Sequence, residues 1–177
     1  IRGNKNKYET EQFITFYKKA LDKILDYNYK GKFFVENFAR VILQKLLTPF
    51  PIGFVDLQSP AGMINNVIVF NYDGAIFATD ESRMLAQDTK DMEFNLGHLD
   101  NANYEDVFYG EKARKYSDSW NNETIVGCSE CAFQSYCGTE LVLNHSMQSD
   151  IYGYRPTSTF CQKNMAIIKH IINLYVT

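Results

Sequence analysis

No cysteine occurs before Cys128 in this chain of 177 residues, and all four thiols fall between Cys128 and Cys161. A disulfide framework is the device of small secreted domains that need staples. A chain of this length, with its first 127 residues free of cysteine, does not fit that description. No apolar run approaches the roughly 20 residues that a membrane-spanning helix needs, so no membrane partner is expected. The eighteen Lys and Arg are scattered and the net charge is −3. No basic block is present to face a phosphate backbone, so nucleic acid is not an expected partner. The opening stretch IRGNKNKYETEQ is polar and lacks the apolar centre of a secretory leader. A cytoplasmic protein is the expectation. The first residue is Ile rather than Met, and a piece of a longer chain is expected. Repeats and low-complexity tracts are absent.

What is present is apolar and aromatic. The composition is 45% hydrophobic, with 13 Phe and 12 Tyr. That is enough for a core, and the Tyr content suggests many half-buried contacts, since the ring is apolar and the hydroxyl wants a partner. In ETEQFITFYKKALDKILDYN, residues 9–28, Phe13, Phe16, Tyr17, Ala20, Leu21, Ile24 and Leu25 recur at helical spacing. Thr10 is the expected N-cap. A second helix is read in FFVENFARVILQKLL, ending before Pro49. The segment PFPIGFVDLQSPAG is punctuated by proline and glycine, with GFVDL as a short strand. NNVIVFN and AIFATD flank Tyr72-Asp73-Gly74, the clearest hairpin signal in the chain. A polar stretch with short helices follows, ANYEDVFYGEKARKY foremost. A loop-rich cysteine region comes next, and QKNMAIIKHIINLY closes the chain as a helix with Met165, Ile168, Ile171 and Ile172 on one side. The order is helix pair, β-hairpin, cysteine site and C-terminal helix, an α+β pattern.

The cysteines read Cys128-x2-Cys131-x5-Cys137, with Cys161 after a long gap. A Cys-x2-Cys pair turns two sulfurs to one side of a tight loop. Cys161 opens the last helix, where the macrodipole and unpaired N–H groups favour an anion. Four thiolates suit tetrahedral zinc or an iron–sulfur cluster; zinc ribbons usually carry two short-spaced knuckles, and only one is present here. His145 lies in the same region as an alternative ligand, with a solvated or capping role the plainer reading. His98 and His170 read as ordinary. Tyr152 and Tyr154 read as core packing ahead of a peptide-contact surface.

CSECAFQSYCG, followed at a distance by FC, resembles the SPASM domain, the C-terminal extension of many radical S-adenosylmethionine enzymes that modify peptides and proteins. The wording around YDG, DESRM and CAFQSYCG is similar to that of His-Xaa-Ser system and sulfatase-maturating enzymes. The resemblance implies that Cys128, Cys131, Cys137 and Cys161 hold one auxiliary [4Fe–4S] cluster. The backbone N–H groups of residues 129–138 are then the natural donors to sulfur. An inner cluster's ligands would fall near Ser59-Pro60-Ala61-Gly62, near Thr79-Asp80-Glu81 and at Leu141, where no cysteine stands. One cluster is expected, not two. The Cys-x3-Cys-x2-Cys motif of the catalytic cluster is also absent.

Residues 1–48 are therefore read as a helical segment trailing a radical S-adenosylmethionine barrel, and residues 49–177 as the SPASM-like domain. The chain alone is not expected to be catalytic. S-adenosylmethionine would bind only in a full-length parent, whose partners are its own N-terminal barrel and a peptide or protein substrate. Asp80, Glu81 and Arg83 are read as a local ion pair or as a substrate or interdomain contact, with Asp56 a weaker candidate. The competing reading is a zinc-binding structural or interaction module with no redox role. Zinc could also replace iron in the same thiolates after preparation in air.

Overall fold

The structure, a computed structural model, describes residues 9–176. The polar opening stretch read above lies largely outside them. Along the chain come α1 (Thr10–Tyr29), α2 (Asn37–Leu47), a 3-10 turn (Val55–Leu57), β1 (Val69–Phe70), β2 (Ala75–Phe77), α3 (Asp80–Thr89), β3 (Asn95–His98), α4 (Tyr104–Tyr109) and α5 (Glu111–Ser117). Two further 3-10 turns (Asn122–Thr124, Gln134–Tyr136) precede α6 (Leu141–Gln148), and a last one (Arg155–Thr157) precedes α7 (Thr159–Val176). The fold is α+β, as the sequence pattern indicated. It divides into two compact units, Val55–Arg155 and residues 9–54 with 156–176.

In the helical unit α7 packs against both α1 and α2. Ile167, Ile168 and Ile171 of α7 and Ala39, Val41 and Ile42 of α2 are buried. Each fully buried aliphatic side chain contributes about 1.5–3 kcal/mol. Glu36 ties the first two helices together. Its carboxylate caps α2 by accepting from Phe38 N and Ala39 N, and Tyr17 of α1 donates its hydroxyl to the same group at 2.6 Å. Burial and the Glu36 carboxylate hold the Tyr17 hydroxyl far above its ordinary pKa, so it stays a donor. Three boundaries differ from the sequence reading. Glu9, in a capping box with Gln12, replaces Thr10 as the cap of α1. Glu36 starts α2 later than expected, leaving Phe33 and Phe34 outside the helix and exposed. Ser158 caps α7 three residues earlier than QKNMA suggests, by accepting from Cys161 N at 3.3 Å.

The other unit is built on a three-stranded antiparallel sheet, ordered β1-β2-β3. The expected hairpin is present, with Val69 opposite Phe77 and Phe70 opposite Ile76. Asp73 organises its turn by accepting from Ala75 N and Asn71 Nδ2, and Gly74 has a φ of +92°. β3 was hidden in a stretch read as polar and helical. The expected GFVDL strand is a 3-10 turn instead, because the Pro and Gly around it keep it out of any ladder. One face of the sheet and helices α3, α5 and α6 enclose a core of Ala61, Met63, Ile64, Ala78, Leu85, Phe94, Ala113, Tyr116, Leu141, Val142 and Ile151. Tyr116 is fully buried and donates to Glu93 O at 2.6 Å.

A Cβ at Gly74 would lie 2.7 Å from the His98 ring, whose Nε2 is bonded to Asp73 O at 2.7 Å. Gly74→Val therefore combines an unfavourable φ with a collision. A loss of about 1–3 kcal/mol is expected in urea unfolding, with little change in the unfolding slope; an unchanged midpoint would contradict it.

Candidate metal centre

The cysteine loop leaves the 3-10 turn at Asn122–Thr124 and enters α6. It is a succession of tight turns. Cys128 N donates to Ile125 O, Cys131 N to Cys128 O, Gln134 N to Cys131 O and Tyr136 N to Phe133 O, each at 3.0 Å. Cys137 N follows, donating to Gln134 O at 3.2 Å. Cys128 and Cys137 are buried, Cys131 is half-exposed, and no disulfide links any of the four cysteines. The turns commit several of the N–H groups that sequence reasoning had offered to sulfur, which narrows the donor set. Phe133 and Tyr136 are half-buried in the same loop.

Two features fix the far end of the loop. Asn122, 1% exposed, donates its side-chain amide to Gln134 O at 3.2 Å and to Cys137 O at 3.1 Å. Its backbone N–H is received by Ser59 Oγ at 2.9 Å, and the Ser59 hydroxyl donates to Glu123 at 2.9 Å. On the other side Gly138 lies against the backbone of Asp56–Gln58; a Cβ there would stand 2.3 Å from Asp56 O. Thr139 adds a bond to Trp120 O at 3.1 Å.

The donor types suit a thiophilic group, zinc or an iron–sulfur cluster. Among the described residues, however, no group of three or more His, Cys, Asp or Glu side chains is placed to hold a metal ion. The loop supplies the ligands without a converged pocket. Cys161 belongs to the helical unit, in the first turn of α7, where it is 4% exposed and its amide is capped by Ser158.

The remaining candidates lie as follows. Asp80, Glu81 and Arg83 form the start of α3, whose cap is a reciprocal box between Thr79 and Ser82. Arg83 donates from Nε and NH2 to Asp80 Oδ1 at 2.9 and 2.7 Å, a solvated ion pair of small energetic value. His145 lies away from a ligand role: it pairs with Asp91 at 2.8 Å and meets Phe94 edge-on. His98 locks the hairpin turn. His170, on α7, is held below its ordinary pKa by burial first and by Lys18 second. Tyr152 and Tyr154 are 42% and 64% exposed, against the expectation of core packing. The residues that sequence reasoning missed are Asn122, Gly138 and Glu140. Only Gly138 left a signal, as a glycine directly after a cysteine.

Glu140 caps α6 by accepting from Leu143 N at 3.3 Å. Burial, reinforced by the nearby charges of Asp56 and then Glu81, pushes its carboxyl up to about 7.

This frame has known counterparts. No protein-family model and no curated protein matches the chain. The fold, however, is related to that of radical S-adenosylmethionine maturases. Native anSMEcpe with bound AdoMet, an anaerobic sulfatase-maturating radical S-adenosylmethionine enzyme, matches with a TM-score of 0.61 at 13% identity, over 97% of this chain and 44% of that one. Native anSMEcpe with bound AdoMet and Kp18Cys peptide gives 0.60 at 13% identity, over 98% and 45%. Native anSMEcpe with bound AdoMet and Cp18Cys peptide gives 0.64 at 13% identity, over 97% and 45%. The chain thus spans less than half the length of the structures it matches, and at this identity the likeness is one of fold. No helix among the described residues is long and apolar enough to cross a membrane.

The raised Glu140 carboxyl has a defined consequence for stability. The folded state keeps the proton to about pH 7, whereas the unfolded chain releases it near 4.5. Its contribution is complete below the unfolded value and is lost as pH rises through the folded one. Glu140→Gln preserves the capping oxygen and removes the titration. Between roughly pH 5 and 8 the wild type should lose on the order of 3 kcal/mol relative to this variant in urea unfolding; parallel pH profiles would refute the shift.

Proposed function

We propose that this chain is the auxiliary-cluster part of a radical S-adenosylmethionine enzyme that modifies a peptide or protein. Cys128, Cys131 and Cys137, with Cys161 as fourth thiolate, would hold one [4Fe–4S] cluster. The observation that carries the reading is the Cys-x2-Cys-x5-Cys loop, with no disulfide, on a fold that follows 97% of its length along anSMEcpe. Cys128 and Cys137 are already buried, as ligands of a shielded group should be. Site formation and local folding are coupled in such centres, so metal binding is expected to order the cysteine loop.

A cluster with four thiolates supplies one-electron transfer or a structural tie. The chain's own residues set its surroundings. The turns orient the sulfurs, Phe133 and Tyr136 restrict water, and Ser158 caps the helix that carries Cys161. At the positions where the resemblance puts an inner cluster, the side chains have other duties. Ser59 bonds Asn122 and Glu123, Thr79 caps α3, and Leu141 is 1% exposed in the core. These duties support one cluster rather than two. The segment 1–48 would follow the barrel of the full-length enzyme, which would bind S-adenosylmethionine and the substrate. Native anSMEcpe has been solved with Kp18Cys and Cp18Cys peptides, which supports a peptide as the substrate here. Asp80, Glu81 and Arg83 are exposed or partly so and remain the proposed substrate or interdomain contact.

The test is reconstitution with iron and sulfide without oxygen, on the wild type and on Ser variants of Cys128, Cys131, Cys137 and Cys161. The wild type should gain a broad visible absorption that bleaches on reduction, and each variant should lose most of it. Retention of the full absorption by all four variants would overturn the ligand assignment.

A further inference from the structure

We infer that Asn122 is the positioning residue for Cys137, holding its carbonyl from outside the cysteine loop; the inference rests on the cluster-binding reading above. The amides of Cys128 and Cys131 are tied into short local turns, to Ile125 O and Cys128 O. Cys137 is reached from outside the loop. The buried Asn122 amide grips the carbonyls that bracket the last turn, Gln134 O and Cys137 O. Immediately beyond, Gly138 is pressed on Asp56 O, a contact that no residue with a Cβ permits. Cys137 is thereby fixed on both sides, and Cys131, half-exposed, is the thiol with most freedom to move.

Asn122 is suited to this task by its shape. One amide nitrogen has two hydrogens, and both are used on carbonyls three residues apart. Its Oδ1 is buried with no hydrogen-bond partner. The backbone of Asn122 is in turn fixed by Ser59, and the Ser59 hydroxyl by Glu123. The position of Cys137 is thus referred back to the segment before the hairpin, 64 residues away from Glu123 in sequence.

Alkylation of the reduced, metal-free chain by iodoacetamide, followed cysteine by cysteine with mass spectrometry, tests this directly. Asn122→Ala should speed modification of Cys137 by at least about tenfold, the effect of losing two neutral hydrogen bonds, and leave Cys128 and Cys161 within about twofold. Asn122→Asp, which keeps the shape but turns an oxygen toward both carbonyls, should do the same and serves where the Ala variant does not fold. Thr139→Val removes a neighbouring buried bond without touching the Cys137 carbonyl, and should leave Cys137 as slow as in the wild type. Equal acceleration at every cysteine, no acceleration, or the same effect from Thr139→Val would overturn the inference. Iron uptake separates this result from the parent reading. A wild type that binds no iron refutes the cluster and leaves the alkylation result standing. A wild type that binds iron, beside Asn122 variants that bind as much at the same reduction potential, refutes the positioning role.

Discussion

The cysteine loop depends on one close approach, that of Gly138 to the backbone of Asp56–Gln58. At this crossing a Cβ would stand 2.3 Å from Asp56 O, so only glycine fits. Once that contact is made, Cys137 is committed to the inside of the fold, the Asn122 amide can reach both carbonyls of the preceding turn, and Thr139 can close on Trp120. Glu140 then falls in the shadow of Asp56, which together with burial raises its carboxyl. Leu141 and Val142 go into the core directly afterwards. The stretch 137–142 thus passes from the cysteine loop to core packing without a linker.

The same economy governs the places where a second cluster would stand by resemblance. Ala61, Ala78 and Leu141 share one apolar core with Phe94 and Tyr116. Their neighbours Ser59 and Thr79 serve as a hydrogen-bond relay and a helix cap. These aliphatic and aromatic side chains fill the space close-packed, as in an ordinary protein interior.

Much of this was legible in the sequence, for identifiable reasons. The hairpin was, because Asp-Gly between β-rich runs leaves few alternatives. Helices α1 and α7 were, because their apolar period persists over many turns. Strand β3 was not, because four residues carry too little period and its Gly97 breaks the pattern. Helix α6 was hidden within a cysteine region read as loop-rich, although LVLNHSMQ contains no breaker. The start of α2 was placed early because Phe33, Phe34 and Val35 extend its apolar period, while Glu36 is the group that satisfies its first amides. At the candidate site, the Cys-x2-Cys-x5-Cys spacing is what the sequence displays. Asn122 was not legible, since it acts on carbonyls that sequence does not display, and Glu140 owes its shift to burial and to two carboxylates distant in sequence.

The central claim is that this fold and these four thiols serve an iron–sulfur cluster. The most direct measurement is elemental: iron, acid-labile sulfide and zinc per chain, on protein purified and reconstituted anaerobically. About four iron and four sulfide with negligible zinc is the predicted result. About one zinc, with no iron taken up under the same conditions and folding unchanged, would contradict it and leave a structural module.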